Sequence, residues 1–209
     1  MAAHAGGEYE VVGFVDDGAA AGASLHGIPV LGGFDALASR AGDGLHVFLA
    51  IGSVAVHRSL VGRIEALSGR VAFPSVVHPH ATVDREWASL GRGNYVAAGA
   101  RLTADVRMGD FNLVNLNVVV AHDTVLGDRC QLNPGAVLNG QVVVGDEVVV
   151  GAGAVVMPRT TIGRGAVVGI GSVVGGNVGA GCTVVGNPAR VVRRPPAEEL
   201  PASAGEVRA

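Results

Sequence analysis

At 209 residues the chain is long enough for one large or two small domains, and its net charge of −3 offers no basic surface for a nucleic-acid partner. It has no run of eighteen apolar residues and no signal-peptide pattern, so no membrane partner is expected and a cytoplasmic location is. Aromatics make up only 4% while apolar residues reach 49%, which suits a stacked aliphatic core without bulky rings.

The front of the chain alternates strand and helix signals. Residues 10–15 (EVVGFV) read as a buried strand, followed by Asp16-Asp17-Gly18 as a turn. Residues 28–32 (IPVLG) look like a connector, and residues 34–40 like a short helix. Residues 46–51 (HVFLAI) read as a second buried strand ending in Gly52. Residues 54–68 have helical spacing, with Val54, His57, Val61, Ile64 and Leu67 on one apolar face. Residues 71–74 make a third short strand. Strand-helix-strand-helix-strand predicts a small parallel α/β domain over residues 1–75.

Residues 76–89 bridge into a different pattern. Val77 and Val83 already sit six apart, so winding is expected to begin there, with one extra residue before Leu90. From Leu90 to Gly179 the chain is fifteen consecutive six-residue units, each opening on an aliphatic residue. The fifth position is small or modest, as at Ala100, Thr124, Cys130, Ala136 and Ser172. A longer period lies on top. An aliphatic-Gly-charged triplet recurs every eighteen residues, as in Met108-Gly109-Asp110, Leu126-Gly127-Asp128 and Val144-Gly145-Asp146.

A six-residue period fits a short flat strand plus a corner, and three sides make eighteen residues. The chain is therefore expected to wind as a triangular prism, with equivalent positions stacked roughly 4.8 Å apart. Each coil covers the edge of the next, so buried backbone groups pair between coils. Cys130 and Cys182 have neither metal nor disulfide spacing and are read as core thiols. The prism domain is expected over 76–194, and residues 195–209, rich in Pro, Ala and Glu, as a disordered tail.

The repeat block resembles the hexapeptide-repeat acyltransferases. Within that group the chain is similar to the sugar O- and N-acyltransferases of the sialic-acid and bacillosamine pathways. The matching pieces are Gly13-Phe14-Val15-Asp16-Asp17, Pro29-Val30-Leu31-Gly32, Ala50-Ile51-Gly52 with Arg58, His78-Pro79-His80-Ala81, His122-Asp123 and Gly186-Asn187-Pro188-Ala189. The resemblance implies a Rossmann-like parallel α/β domain, shortened at its N-terminus here, followed by a left-handed parallel β-helix. Relatives begin with one more strand and a Gly-rich loop, for which residues 1–7 are too short. The front domain is therefore expected to bind a nucleotide-linked sugar weakly or not at all.

The resemblance also implies an acyl-CoA-dependent transfer, with acetyl-CoA as co-substrate, no metal, and a homotrimer carrying its sites between subunits. The acceptor is an amino sugar, a nucleotide-amino sugar or a related small molecule. His122 falls at the third position of its hexad, with Gly140 one coil later leaving room for a ligand beside the imidazole. It becomes the candidate general base, with Asp123 and Asn115 beside it. An acidic residue precedes the histidine in relatives; Ala121 stands there, so Asp123 or a neighbouring chain must supply it. Gln131, Gly140, Ala152 and Ile170 carry over as cofactor-binding positions. Asp16, Asp17, Ile51 and Gly52, at strand ends, carry over as substrate-binding. Two other functions stay open. A γ-type carbonic anhydrase needs three metal-binding histidines where the regular hexads hold one, and a catalytically degenerate trimeric scaffold would account for Ala121 and Gln131.

Overall fold

The computed structural model describes residues 9–42, 44–67 and 71–195. The chain divides into two compact units, Met1–Pro74 and Ser75–Ala209. The expected tail lies outside the described residues from position 196 onward. Among the described residues no helix is long and apolar enough to cross a membrane.

The front unit holds β1 (Phe14–Val15), β2 (Ser24–Leu25), β3 (Ile28–Gly32), α1 (Phe34–Ala38), β4 (Leu45–His46), α2 (Val54–Glu65) and β5 (Val71–Ala72). It keeps the alternation of a short Rossmann-like unit, with three corrections. The strand expected over residues 10–15 shortens to Phe14–Val15, and Val12 and Val15 are exposed rather than buried. The segment read as a connector is a strand, β3, which pairs in parallel with β1 and antiparallel with β2. The turn before it explains this. His26 and Gly27 take φ of 52° and 79°, the positive pair that a two-residue hairpin requires. The expected strand at 46–51 is also shorter. Only Leu45–His46 pairs with β5, in a separate two-stranded sheet, plus a bond from the Val47 N–H to Ala72 C=O of 2.9 Å.

α2 follows the expected face. His57, Val61 and Ile64 are buried and Val54 and Leu67 half-buried, at helical spacing. Ser53 caps its start by accepting the Val56 N–H. The Arg63 guanidinium of α2 lies 3.9 Å from the ring centroid of Phe34 in α1, tying the helices together.

The second unit is a parallel β-helix with three faces. The first face starts at Val76–Val77, the second at Thr82–Val83 and the third at Ser89–Leu90. They grow into sheets of eight, six and five strands. The register is eighteen residues through the body, as in Leu102↔Val120↔Leu138 and Met108↔Leu126↔Val144. Winding begins at Val76, and the extra residue before Leu90 makes the first pairings nineteen apart, as in Val83↔Leu102. At the other end the coil shortens by two. Val178, not residue 180, bridges Ile162, and Val184 pairs with Val168. An antiparallel strand, Arg190–Arg193, closes the first face.

The inward residues form one column. Val96, Val114, Leu132 and Val150 are fully buried, as are fifth-position Ala100, Val118, Ala136 and Ala154. Each buried Val or Leu is worth about 1.5–3 kcal/mol, so the column is the main source of stability. Cys130 is one of these fifth-position residues. Burial pushes its thiol up to about 12, and the thiol donates to the Gly145 C=O at 3.1 Å. It is a neutral packing group at ordinary pH.

The eighteen-residue triplet has a side-chain cause. Asp110, Asp128 and Asp146 stack up one corner, each carboxylate accepting the N–H of the residue one coil earlier: Arg92 at 2.9 Å, Asp110 at 2.8 Å and Asp128 at 2.9 Å. The carboxylate fills the space where the preceding glycine would carry a Cβ. On Gly127 that atom would lie against Asp146 Oδ1 and 2.8 Å from the Asp146 N. A further regularity is that the fourth hexad position takes positive φ, for example Asn117 at 57°, Asp123 at 57° and Gly135 at 70°.

The ladder predicts an order of stability losses. Asp128→Ala strands one corner N–H and should cost about 1–3 kcal/mol. Gly127→Ala adds a backbone clash and should cost more. Thermal unfolding of the two variants should place Gly127→Ala below Asp128→Ala; the reverse order would refute the steric account.

Candidate active site

The three faces meet at edges, and each edge collects the same hexad positions from every coil. The edge between the second and third faces carries Ala104, His122, Gly140 and Pro158 at third positions. Fourth positions add Asp105, Asp123, Gln141 and Arg159. The register that pairs Val119–Val120 with Val137–Leu138 sets His122 directly over Gly140.

His122 is exposed, its side chain 62% accessible. Its Nδ1 lies 2.8 Å from Asp123 Oδ2. A carboxylate only accepts, so Nδ1 donates its hydrogen and Nε2 is left as the free lone pair. Asp123 reaches it because φ of 57° at the corner turns its side chain back along the edge. The ring contact thus comes from the position after the histidine, while Ala121 before it carries no group that could make one.

Gly140 provides the floor. A Cβ there would stand 2.6 Å from both Cε1 and Nε2 of His122. The space that the sequence left for a ligand is occupied by the imidazole itself. Around this pair the backbone is pinned: the Gln141 N–H bonds to His122 C=O at 2.9 Å and the Asp123 N–H to Ala104 C=O at 3.1 Å. Arg159 Nε donates to Gln141 Oε1 at 2.9 Å, placing a cation on this edge beyond the histidine. Stacking by eighteen from Asp123 would have found both residues.

The other expected positions fall elsewhere. Asn115 lies at the edge between the first and second faces, the far end of strand Val119–Val120 from His122. Its Oδ1 accepts the Leu116 N–H at 2.8 Å. Ala152 and Ile170 stack on that same edge, and Ile170 is 82% exposed. Gln131 lies on the first face, half-buried. One chain therefore places the expected base and Gly140 on one edge, Ala152 and Ile170 on another, and Gln131 on the first face.

His78 and His80 also stand in the β-helix, because winding starts before them. Their rings meet edge-on at 5.3 Å on the first–second edge, a different edge from that of His122. Among the described residues no group of three or more His, Cys, Asp and Glu side chains is placed to hold a metal ion.

In the front unit, Asp16 Oδ1 accepts the Gly18 N–H at 2.7 Å and Asp17 Oδ1 accepts the Phe34 N–H at 2.8 Å. Asp17 therefore caps α1, and its carboxylate occupies the space above Gly33. Ile51 is half-buried and Gly52 exposed, just ahead of the Ser53 cap of α2.

Comparison with known proteins bears on this site. The bacterial transferase hexapeptide family (six repeats) matches residues 123–158, and the PglD N-terminal domain matches residues 1–64. That second match takes in residues 1–7, the segment read as too short, which lie outside the described residues. PerB from Caulobacter crescentus, solved with CoA and GDP-perosamine, is 34% identical, with 80% of each chain covered and a TM-score of 0.76. The acetyltransferase domain of PglB from Neisseria gonorrhoeae, solved with acetyl coenzyme A, is 33% identical over 90% of this chain and 89% of that one, with a TM-score of 0.82. WeeI from Acinetobacter baumannii is 33% identical over 89% of each chain, with a TM-score of 0.78. A search of curated proteins gave no match. The chain belongs to the hexapeptide-repeat sugar acyltransferases. It is an acyltransferase, and its larger unit is the left-handed β-helix of that family.

For this acyltransferase, the contact between imidazole and glycine gives a test. Gly140→Ala should swing the His122 ring away, because the ring is the flexible partner in the clash. The His122 ring resonances should shift in NMR while the melting temperature stays within a few degrees of wild type. Unmoved resonances would show that the ring does not rest on Gly140.

Proposed function

We propose that the protein transfers an acetyl group from acetyl-CoA to the amine of an amino sugar, with His122 as general base. The observation that carries this reading is the His122–Asp123 pair, held at 2.8 Å with Nε2 free over Gly140. The relatives support the substrates: PerB was solved with CoA and GDP-perosamine, and PglB with acetyl coenzyme A.

The chemistry follows from what each group can do. An amino-sugar ammonium is unreactive until deprotonated. His122 takes that proton at Nε2, the nitrogen left with a lone pair once Nδ1 is bonded to Asp123. The Asp123 carboxylate fixes the ring and stabilises the imidazolium that forms. The amine nitrogen then attacks the thioester carbonyl carbon, and the C–S bond breaks. The nitrogen gives up its second proton, which the departing CoA thiolate takes up, and the amide is released; the first proton passes from His122 to solvent. The thioester is already activated, so no acyl-enzyme is required. A backbone N–H at Gly140 is the nearest candidate donor to the oxyanion.

The division of residues between two edges supports a shared site. The His122 edge of one protomer would face the Ala152 and Ile170 edge of a neighbour, with coenzyme A between them. A homotrimer supplies three such pairings in a closed ring. Asn115, on the second edge, would then reach the base from the neighbouring chain. Asp16, Asp17, Ile51 and Gly52 remain the proposed acceptor positions of the front unit.

His122→Ala should lose about two to four orders of magnitude in turnover, the usual contribution of a general base. Asp123→Gly keeps the left-handed corner and should also lower turnover, by less than His122→Ala. Acetyl-CoA-dependent thiol release with amino-sugar acceptors measures both, and wild-type turnover in His122→Ala would sink the assignment.

Sharing of the site is tested by mixing subunits. His122→Ala and Ile170→Arg should each be nearly inactive alone. Co-refolded, they should recover part of the wild-type rate, because some sites combine the intact edge of each. No recovery from verified mixed trimers would mean that each chain carries a whole site.

A further inference from the structure

The β-helix departs once from six-residue spacing between Val77 and Val174. Val83 and Leu90 are seven apart, and the extra residue falls in the corner 84–88. This corner is braced. Asp84 Oδ1 accepts the N–H of Glu86 at 3.2 Å and of Trp87 at 3.3 Å, and the Ala88 N–H bonds to Asp84 C=O at 2.8 Å. The brace presents Trp87, the chain's single tryptophan, 59% exposed. An indole is among the most profitable side chains to bury, so leaving it out on an ordered turn forgoes a large stabilisation.

The position of this turn is informative. Residues 84–88 join the second face to the third, so Trp87 stands on the same edge as His122. Two strand spacings, roughly 10 Å, separate the two coils. Between them the edge carries Ala104 at the third position, a side chain too small to block the path. At the corners of this stretch the charges are Asp84, Arg85, Glu86, Asp105 and Asp123, with Arg101 and Arg107 exposed on the strands to either side of the Ala104 corner. The corner carboxylates give an approaching ammonium partners on this side of His122. On the other side the edge carries Arg159. An exposed aromatic plane thus stands on the side of the base away from Arg159.

We propose that Trp87 is an acceptor-binding and specificity-determining residue, whose indole stacks on the apolar face of the sugar ring while the amine reaches His122 Nε2. This rests on the acetyl-transfer reading above and adds to it the acceptor's side of the site. A flat indole presents a large contact surface at little cost in side-chain entropy, and a pyranose offers it a C–H face. The coenzyme, approaching from the Arg159 side, does not touch it.

The single tryptophan makes the test direct. Intrinsic fluorescence of the wild-type protein is titrated with GDP-perosamine, with GDP and with CoA, and thiol-release kinetics are measured with GDP-perosamine and other amino sugars. The amino sugar should change the emission saturably, and CoA alone should leave it unchanged. Trp87→Ala should raise the acceptor KM about tenfold, with the acetyl-CoA KM within twofold, and Trp87→Phe should restore most of the loss. An acceptor KM unchanged in Trp87→Ala, or emission that responds only to CoA, would overturn the platform while leaving the enzyme reading intact. Emission that responds to GDP as fully as to GDP-perosamine would overturn stacking on the sugar ring. Blue-shifted emission, insensitive to every ligand, would show an indole covered by protein and would overturn the proposal whatever the kinetics of the variants. Absence of transfer to any amino sugar would defeat the reading on which it rests, and this proposal with it.

Discussion

The structure depends on a hydrogen-bond ladder that runs between coils. The N–H of Val119 reaches the C=O of Ala136 at 2.9 Å, and that of Ala121 reaches Leu138 at 2.9 Å. Each coil is an unpaired sheet edge until the next is laid on it. Parallel pairing at a fixed eighteen-residue register satisfies both, and a slip of one residue would turn every inward Val or Leu outward. The register is therefore held by the whole aliphatic column at once. Once it is set, equivalent positions stack, and chemistry at the edges is arranged in columns.

Three columns show what stacking does to polar groups. The Asp110–Asp128–Asp146 column satisfies corner N–H groups that a helix interior would otherwise strand. The Asn94 and Asn112 column does the same inside: Asn94 Oδ1 accepts the Asn112 N–H at 2.8 Å, and Asn112 Oδ1 accepts the Cys130 N–H at 2.7 Å. The His122 and Gly140 column is of another kind. There the glycine supports a side chain from the coil before, and the next corner residue, Asp123, orients that side chain. The same geometry that packs the core thus produces a fixed imidazole with one nitrogen bonded and the other open.

The front unit obeys different constraints, and it was harder to read for that reason. Its strands are two to five residues long and its sheets have two and three strands. Its elements do not recur at a fixed spacing, as the two-residue strands of the β-helix do, so local turn chemistry decides the pairing. His26-Gly27 made a hairpin out of a segment whose Pro29 and Gly32 argue against a strand. Asp17 likewise serves as a cap for α1, a role visible only when Phe34 is brought beside it.

The sequence by itself determined the β-helix. Its inward positions, eighteen-residue coil, early start at Val76 and single extra residue before Leu90 all follow from spacing, because periodic burial leaves a periodic signal. It also singled out His122 and Asp123. What only the tertiary structure decided is which side chains touch: that Asp123 bonds His122 Nδ1, and that the imidazole occupies the space over Gly140. It also decided that the last coil shortens so that Val178 bridges Ile162. These are contacts between residues some sixteen to eighteen positions apart, or turns of the backbone into positive φ. A pattern of residue types fixes the face a side chain occupies, but its partners are set by where the backbone turns and what the next coil lays against it.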